Sequence, residues 1–315
     1  MLTIWKVPTH RANVSSVKRT LLLILLALTA CSGGAPNIPS IFASATPVPP
    51  TATPLPPTST PIPLAISING QGLTADQLKT ETSRYTNSMK SLGKTVSPEQ
   101  ALKAVEDDLV SQFLLAEGAK EAGFVVDDNT LKQRVDALEK NIGGTDPQGT
   151  AKLAAWEQAH GYTSADFEEM LKLSIASAWM RDKIMSSVPL TAEQVHVRQI
   201  LLYNEDAAKN YYSQLQAGTS FEELAAQVDP VTHGDIGWFP RGYLSEKTVE
   251  DAAFSLQVGA YSPIVSGEVG FHIIKLMENQ PARALSPDAL NTLQSHAVED
   301  WLANRRKQSS IEIHP

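Results

Sequence analysis

The prolines of this 315-residue chain are concentrated near its N-terminus, and this distribution limits most strongly what the chain can fold into. Ten of the 20 prolines lie between Pro36 and Pro63, and no charged residue occurs between Arg19 and Asp76. A segment dominated by Pro, Thr, Ser and Ala cannot bury enough apolar surface to form a core, and proline favours polyproline II. Residues 31–64 are therefore predicted to be a disordered tether, which at about 3.1 Å per residue reaches roughly 100 Å when fully extended.

The first 31 residues have the three parts of an export signal. Basic residues up to Arg19 precede the apolar run from Leu21 to Leu28, which is shorter than the roughly 20 residues that span a bilayer as a helix. The sequence Leu-Thr-Ala-Cys that ends at Cys31 resembles the lipobox of bacterial lipoproteins, whose cysteine is lipidated after cleavage just before it. This resemblance implies a signal peptide over residues 1–30 and a lipid on Cys31. An ordinary signal peptide with a chance cysteine is the alternative.

The composition excludes several classes of protein. A hydrophobic fraction of 42% is sufficient for packed cores, and a net charge of −8 argues against a nucleic-acid-binding protein. A single cysteine excludes a disulfide framework and a cysteine-rich zinc site. His196, His233 and His272 lack the spacing of zinc ligands, and the chain has no G-x-S-x-G motif of a serine hydrolase. We therefore expect neither a metal ion nor a cofactor.

Residues 65–190 are predicted to form a helical domain that begins with one short strand. The segment 66–70 alternates and ends in Asn-Gly, which indicates a strand and a turn. Thr74-Ala-Asp-Gln and Ser97-Pro-Glu-Gln match the capping box of a helix N-terminus. Apolar periodicity extends the second of these helices to about residue 123 and predicts further helices at 128–141, 149–159 and 164–187.

The pattern changes after Pro189 to short strands and short helices. We predict strands at 195–202 and 269–277, helices at 207–216, from Ser220 and at 249–256, and a turn-rich stretch at 229–242.

The predicted C-terminal helix, residues 286–307, has an apolar face that it cannot bury alone. This face carries Leu290, Leu293, Ala297 and Trp301. We expect the helix to pack on the N-terminal helices, and a short strand at 311–313 to pair with 66–70. Residues 284–315 would then complete the domain that starts at residue 65.

Six ordered blocks within residues 195–277 resemble the parvulin-type (PpiC) peptidyl-prolyl cis-trans isomerases. The blocks are Val197–Leu202, Ala217–Ala225, His233–Gly242, Val249–Leu256, Ser262–Val265 and Gly270–Ile274. The whole arrangement is similar to the PrsA/SurA-like foldases of bacterial envelopes. The resemblance implies an α+β fold, in which an all-helical SurA/PrsA-like N-terminal domain is completed by the C-terminal helix. That domain would bracket a parvulin-like α/β domain, residues 191–283, with a small antiparallel sheet.

The resemblance places three residues at the catalytic positions of the family. His272 stands for the C-terminal active-site histidine, Gln199 occupies the place of the first histidine, and Asp229 matches a position held by Asp or Cys. Glutamine donates and accepts hydrogen bonds but does not titrate, so the substitution implies weak activity. From the residues alone, His272 is also consistent with a core histidine and Asp229 with a helix-terminating turn.

The resemblance also implies an apolar cup for the proline ring of the substrate. Leu244 fits a Met/Leu position, and Val249 stands where phenylalanine is common. The other candidates are the aromatic residues Phe254, Phe239 and Trp238 and the rim residue Ser266. Both phenylalanines are of a kind found more often in a core than in a pocket, and Ser266 is equally consistent with a plain strand end.

Together these features predict a membrane-anchored isomerase that assists the folding of exported proteins. It would bind X-Pro segments of unfolded polypeptides and stabilise the twisted amide. The expected location is extracytoplasmic, at the cell membrane of a bacterium. The alternative is a holdase chaperone with weak or no catalysis, in which the parvulin fold binds clients; Gln199 and Val249 motivate it.

Overall fold

The computed structural model describes residues 63–143 and 149–314, which belong to one unit, residues 62–315. The predicted signal peptide, Cys31 and nearly all of the predicted tether lie outside the described residues. The described helices are α1 (Ala75–Ser91), α2 (Pro98–Glu121), α3 (Asp128–Gly143), α4 (Gly149–Ala159), α5 (Ser164–Ser186), α6 (Glu205–Gln216), α7 (Phe221–Val228), α8 (Lys247–Ser255) and α9 (Pro287–Gln308). The described strands are β1 (Leu64–Ile68), β2 (Gln71–Thr74), β3 (Thr191–Leu202), β4 (Asp235–Pro240), β5 (Val265–Ser266), β6 (Phe271–Ala284) and β7 (Ile311–Ile313).

The two ends of the described chain meet in a three-stranded antiparallel sheet with the order β2-β1-β7. Ile66 pairs with Ile313 and Ile68 with Ile311, which confirms the predicted pairing of the terminal strands. Strand β2 was not predicted. It forms because the turn at Asn69-Gly70, both with positive φ, reverses the chain onto β1.

The helices begin where the capping signals place them. The side chains of Thr74 and Ser97 both form complete capping boxes, at the starts of α1 and α2. Helix α9 packs on α2 and α5, as its apolar face requires, and Trp301 contacts both apolar clusters of this part of the molecule. Gly118 of α2 allows the close approach, because a Cβ atom there would lie 2.6 Å from the Trp301 ring.

Residues 191–284 contain a four-stranded antiparallel sheet with the order β4-β3-β6-β5. The prediction of a turn-rich stretch at 229–242 was wrong for β4, Asp235–Pro240. This strand contains a glycine and a proline, which interrupt the alternation of polar and apolar residues that predicts a strand. Residues of β4 pair with β3, for example Phe239 with Val195. Pairing with β3 therefore stabilises β4 as a strand. Strands β3 and β6 are also longer than predicted, since Thr191 still pairs with Ala284.

Each face of this sheet has its own apolar core. Helices α6 and α7 cover one face, where Ile200 and Ile273 are fully buried. Helix α8 covers the other, where Val197, Phe239 and Ile274 are fully buried. The candidate site lies at the edge of this second core. None of the helices within residues 63–143 and 149–314 is both long enough and apolar enough to cross a membrane.

Candidate active site

Gln199 and His272 lie side by side on neighbouring strands. Gln199 pairs with Ile274 and His272 with Leu201, so both side chains point to the α8 face of the sheet. Nδ1 of His272 lies 2.9 Å from Oε1 of Gln199, at hydrogen-bonding distance. His272 is 4% exposed, whereas Gln199 is partly exposed. The structure therefore brings these two predicted residues together.

Glu246 is a third member of this group, which the sequence did not predict. It stands immediately before α8, where its side chain makes no capping hydrogen bond. Its carboxylate instead turns towards the sheet, and Oε2 lies 3.3 Å from Nε2 of His272. The other oxygen, Oε1, accepts from the backbone N–H of Val269 at 3.4 Å. Nothing in the local sequence distinguishes Glu246 from a solvated acid at a helix start.

The protonation of His272 reflects two opposing influences. Burial lowers the pKa of His272 below its usual value, because the charged ring is poorly solvated. The neighbouring Glu246 carboxylate acts in the opposite direction by favouring the charged ring. With burial the stronger influence, the imidazole is neutral at neutral pH, and one ring nitrogen carries the single proton.

A second carboxylate fixes the loop that carries Leu244. Glu250 of α8 is 5% exposed and accepts hydrogen bonds from three consecutive backbone N–H groups, those of Gly242, Tyr243 and Leu244, at 2.8, 3.0 and 3.1 Å. Leu244 thereby packs at the edge of the α8 core, partly exposed. This contact is what positions the best candidate for an apolar wall.

Three of the predicted cup residues belong to the core beneath the site. Phe239 and Val249 are 0% and 3% exposed, so neither offers an open surface. Phe254 is partly exposed, with its ring edge-on to Phe239 at 6.0 Å and the Arg241 guanidinium 4.2 Å above it. Of these three, only Phe254 has surface that faces outward.

The remaining two predicted residues differ in position: Trp238 lies on the other face of the sheet, and Ser266 lies in β5, whose Val265 pairs with His272. Trp238 stacks on His196 with ring centroids 5.4 Å apart, and the guanidinium of Arg283 lies 4.3 Å from its ring. His196 pairs with Trp238 and lies between Val195 and Val197, whose side chains belong to the α8 core. Because successive side chains of a strand alternate, His196 and Trp238 lie on the opposite face of the sheet. Ser266 is exposed at the end of β5, and its carbonyl accepts from the Thr248 hydroxyl at 3.4 Å.

Asp229 ends α7 and stabilises the loop that follows. Its carboxylate accepts from the backbone N–H groups of Val231, Thr232 and Gly234 and from the Thr232 hydroxyl. These hydrogen bonds hold the pKa of Asp229 well below its usual value, at about 2. Gly234 in turn accepts from the backbone N–H of Gln199 at 2.8 Å. The hydrogen bonds of this carboxylate within the described residues thus stay in its own loop.

The helical part of the chain has a separate groove of about 890 Å³ between β2, α1, α2 and α5. Its apolar surface comes from Phe113, Phe124, Val125, Met170 and Leu173. Val125 is 73% exposed at this groove. Charged residues of both signs, including Asp76, Glu169 and Lys172, complete the lining. Across the described ranges, no group of three or more His, Cys, Asp and Glu is arranged to hold a metal ion.

Two family descriptions match this chain. Residues 202–278 match the PPIC-type PPIase domain, and residues 62–149 match the SurA-like N-terminal domain. The first match contains His272, Glu246 and Asp229 and begins three residues after Gln199. The SurA-like match covers β1 to α3, and the PPIC-type match runs from the end of β3 into β6.

The chain is also similar to curated relatives and to a solved structure. The chain is 30% identical over 215 residues to the foldase protein PrsA of Caldanaerobacter subterraneus, a match that covers 66% of this chain and 65% of the relative. It is 29% identical over 175 residues to foldase protein PrsA 2 of Bacillus cereus, covering 52% and 57%. A crystal structure of the peptidylprolyl isomerase PrsA from Bacillus cereus is 23% identical with a TM-score of 0.43, covering 68% of this chain and 83% of that one. The chain thus spans less than two thirds of the length of these two curated relatives.

Proposed function

We propose that this chain, which contains a PPIC-type parvulin domain and a SurA-like N-terminal domain, is a peptidyl-prolyl cis-trans isomerase acting on unfolded polypeptides. The observation that carries the proposal is the polar group of Gln199, His272 and Glu246 at the edge of an apolar core, next to Leu244. The similarity to PrsA foldases supports it.

The reaction requires only differential binding. Cis and trans X-Pro bonds differ by about 0.5–1 kcal/mol, whereas the barrier between them is about 18–20 kcal/mol. A twisted amide loses resonance, so its nitrogen becomes more basic and its carbonyl less polar. A site that binds this form better than the planar forms lowers the barrier. Here Leu244 and Phe254 supply apolar surface for the proline ring, and Gln199 supplies a hydrogen-bonding group that does not titrate.

A client-binding activity is the second candidate, and the groove between α1, α2 and α5 favours it. Its exposed apolar surface is suited to short hydrophobic segments of an unfolded chain, and its charges of both signs form a polar rim. The two activities use different parts of the molecule. They can therefore be separated by substitution.

Two variants are each expected to weaken one of the two activities, isomerisation or client binding, and to leave the other unchanged. His272→Ala removes a polar group of the proposed isomerase site, which is expected to lower kcat/KM for an X-Pro peptide about tenfold, a loss of about 1.4 kcal/mol. Val125→Asp places a charge on the exposed apolar rim of the groove, which is expected to weaken suppression of client aggregation about fivefold, or ~1 kcal/mol. NMR exchange spectroscopy of the peptide and light scattering of an aggregating client measure the two activities.

The matched control is Val258→Asp, which puts the same charge on a valine that is 61% exposed and does not line the groove. It is expected to change neither activity. Absence of any acceleration by the unmodified protein, at high protein concentration, would refute the isomerase proposal. Equal loss of suppression in Val125→Asp and Val258→Asp would refute the groove as the client site.

We further infer that Cys31 is lipidated and anchors the protein, outside the cytoplasm, to a bacterial cell membrane. The lipobox-like sequence and the short apolar run before it support this inference. In a bacterial host grown with labelled fatty acid, the protein is expected to take up the label and to sediment with membranes. Cys31→Ser is expected to lose the label entirely, and retention of the label in this variant would contradict the inference.

A further inference from the structure

The carboxylate of Glu246 and the ring of His272 form a buried pair whose facing atoms have no other partner in the described part of the chain. Their side chains are 13% and 5% exposed, and Oε2 and Nε2 are both shielded from solvent. The two atoms lie 3.3 Å apart. An unprotonated ring nitrogen facing a carboxylate oxygen would leave two buried acceptors without a proton, which costs free energy. A single N–H at Nε2 satisfies both atoms.

Gly267 keeps the space that this pair needs. A Cβ atom at residue 267 would overlap Oε2 of Glu246 and would lie 2.8 Å from Nε2 of His272. The backbone N–H of Val269 holds the other carboxylate oxygen from the same loop. The loop between β5 and β6 is therefore shaped around the carboxylate of Glu246.

We propose that Glu246 is a positioning residue that keeps the single proton of the neutral His272 ring on Nε2 and so leaves Nδ1 free for the amide of Gln199. In the structure the amide presents Oε1 to Nδ1 at 2.9 Å, and a 180° rotation about its terminal bond presents the NH2 group at the same place. With the proton on Nε2, the NH2 end donates to Nδ1. The effect of this positioning on catalysis rests on the proposed isomerase function, whereas the positioning of the proton does not.

This arrangement defines the role of Gln199 without a titrating group at that position. If the ring takes a second proton at low pH, the amide rotates and its oxygen accepts from Nδ1–H. The hydrogen bond between Gln199 and His272 is thus kept in both charge states. Glu246, rather than a partner imidazole, decides where the ring proton lies.

The test is the ring-nitrogen NMR spectrum of His272, assigned with His272→Gln and recorded across pH. In the unmodified protein we expect an Nε2–H tautomer. Glu246→Gln is expected to lower the pKa of His272 further, because Glu246 is the group that raises it, and to mix the two tautomers. Gly267→Ala is expected to act in the same direction by displacing the carboxylate without removing its charge.

Glu268→Gln is the matched control, since Glu268 is an exposed acid next to Gly267. It is expected to leave the tautomer and the pKa of His272 unchanged. In kinetics, Glu246→Gln is expected to lower kcat about fivefold with little change in KM, with kcat calculated per folded protein. A smaller folded fraction would lower the apparent kcat in the same way, so circular dichroism measures that fraction in each variant.

An unchanged His272 spectrum in Glu246→Gln would overturn the proposal, and so would an Nδ1–H tautomer in the unmodified protein. If the spectra change as expected but the unmodified protein does not accelerate isomerisation, the positioning role stands and the proposed function fails. If isomerisation is observed but the spectra of the variants match those of the unmodified protein, the proposed function stands and the positioning role of Glu246 fails.

Discussion

Replacing Glu250 with alanine is expected to lower the free energy of unfolding by about 3 kcal/mol, because three backbone N–H groups lose a charged acceptor. The carboxylate is buried and holds the loop of Gly242, Tyr243 and Leu244. Each hydrogen bond to a charged group contributes about 1.5–3 kcal/mol, and partial rehydration of the freed loop offsets some of the loss. Urea denaturation followed by circular dichroism measures the change.

The same substitution is expected to weaken the proposed isomerase activity, since Leu244 loses the contact that positions its backbone. Glu250→Gln keeps one acceptor oxygen and is expected to cost about half as much free energy. The matched control is Asp251→Ala, which removes the neighbouring exposed carboxylate and its surface ion pairs with Lys247 and Arg241. Its expected effect is within about 0.5 kcal/mol. Equal effects of Glu250→Ala and Asp251→Ala would show that the buried hydrogen bonds do not stabilise the loop.

Trp301→Ala is expected to destabilise the helical part of the molecule by about 3 kcal/mol. Trp301 of α9 contacts the clusters that contain Leu114 and Leu115 of α2, so its loss leaves a cavity between two apolar clusters. Because the ring is only partly buried, the expected value lies at the low end for deletion of a large aromatic side chain. Amide hydrogen exchange in α2 and α5 measures the effect locally.

Two comparisons test this interpretation. Trp301→Phe keeps most of the apolar contact and is expected to cost about 1 kcal/mol. Trp156→Ala removes a tryptophan that is 38% exposed, lies on α4 and belongs to neither of the clusters that Trp301 contacts; it is expected to leave exchange in α2 unchanged. If Trp301→Ala accelerated exchange in β3 and β6 as strongly as in α2, the helix would stabilise the whole unit rather than the helical part.

Local signals in the sequence were sufficient for most helices. The capping boxes at Thr74 and Ser97 predict where two helices start. In each box a side chain accepts a hydrogen bond from the N–H three residues later, so the contact depends only on near neighbours in the sequence. The unburied apolar face of α9 correctly predicted that the two ends of the chain meet. Strands β2 and β4 were missed, because pairing with a distant strand stabilises them more than their own residues do.

The candidate site shows the same division. The resemblance to the family singles out His272 and Gln199, and the structure puts their polar atoms 2.9 Å apart. The cup implied by the resemblance also included Trp238, but the pleat turns its side chain to the other face of the sheet. Glu246 could not be found from the sequence, because a glutamate at a helix start is ordinarily solvated.

The sequence by itself determined the segregation of prolines, the starts of the helices, the parvulin-like blocks and the need for the C-terminal helix to find a partner. Each of these depends on residue composition or on contacts between near neighbours in the chain. Only the tertiary structure decided that Glu246 faces His272, that Glu250 holds the Leu244 loop and that Phe239 is core. These contacts join residues on different elements, and burial and strand register, rather than the identity of the residues alone, set their geometry.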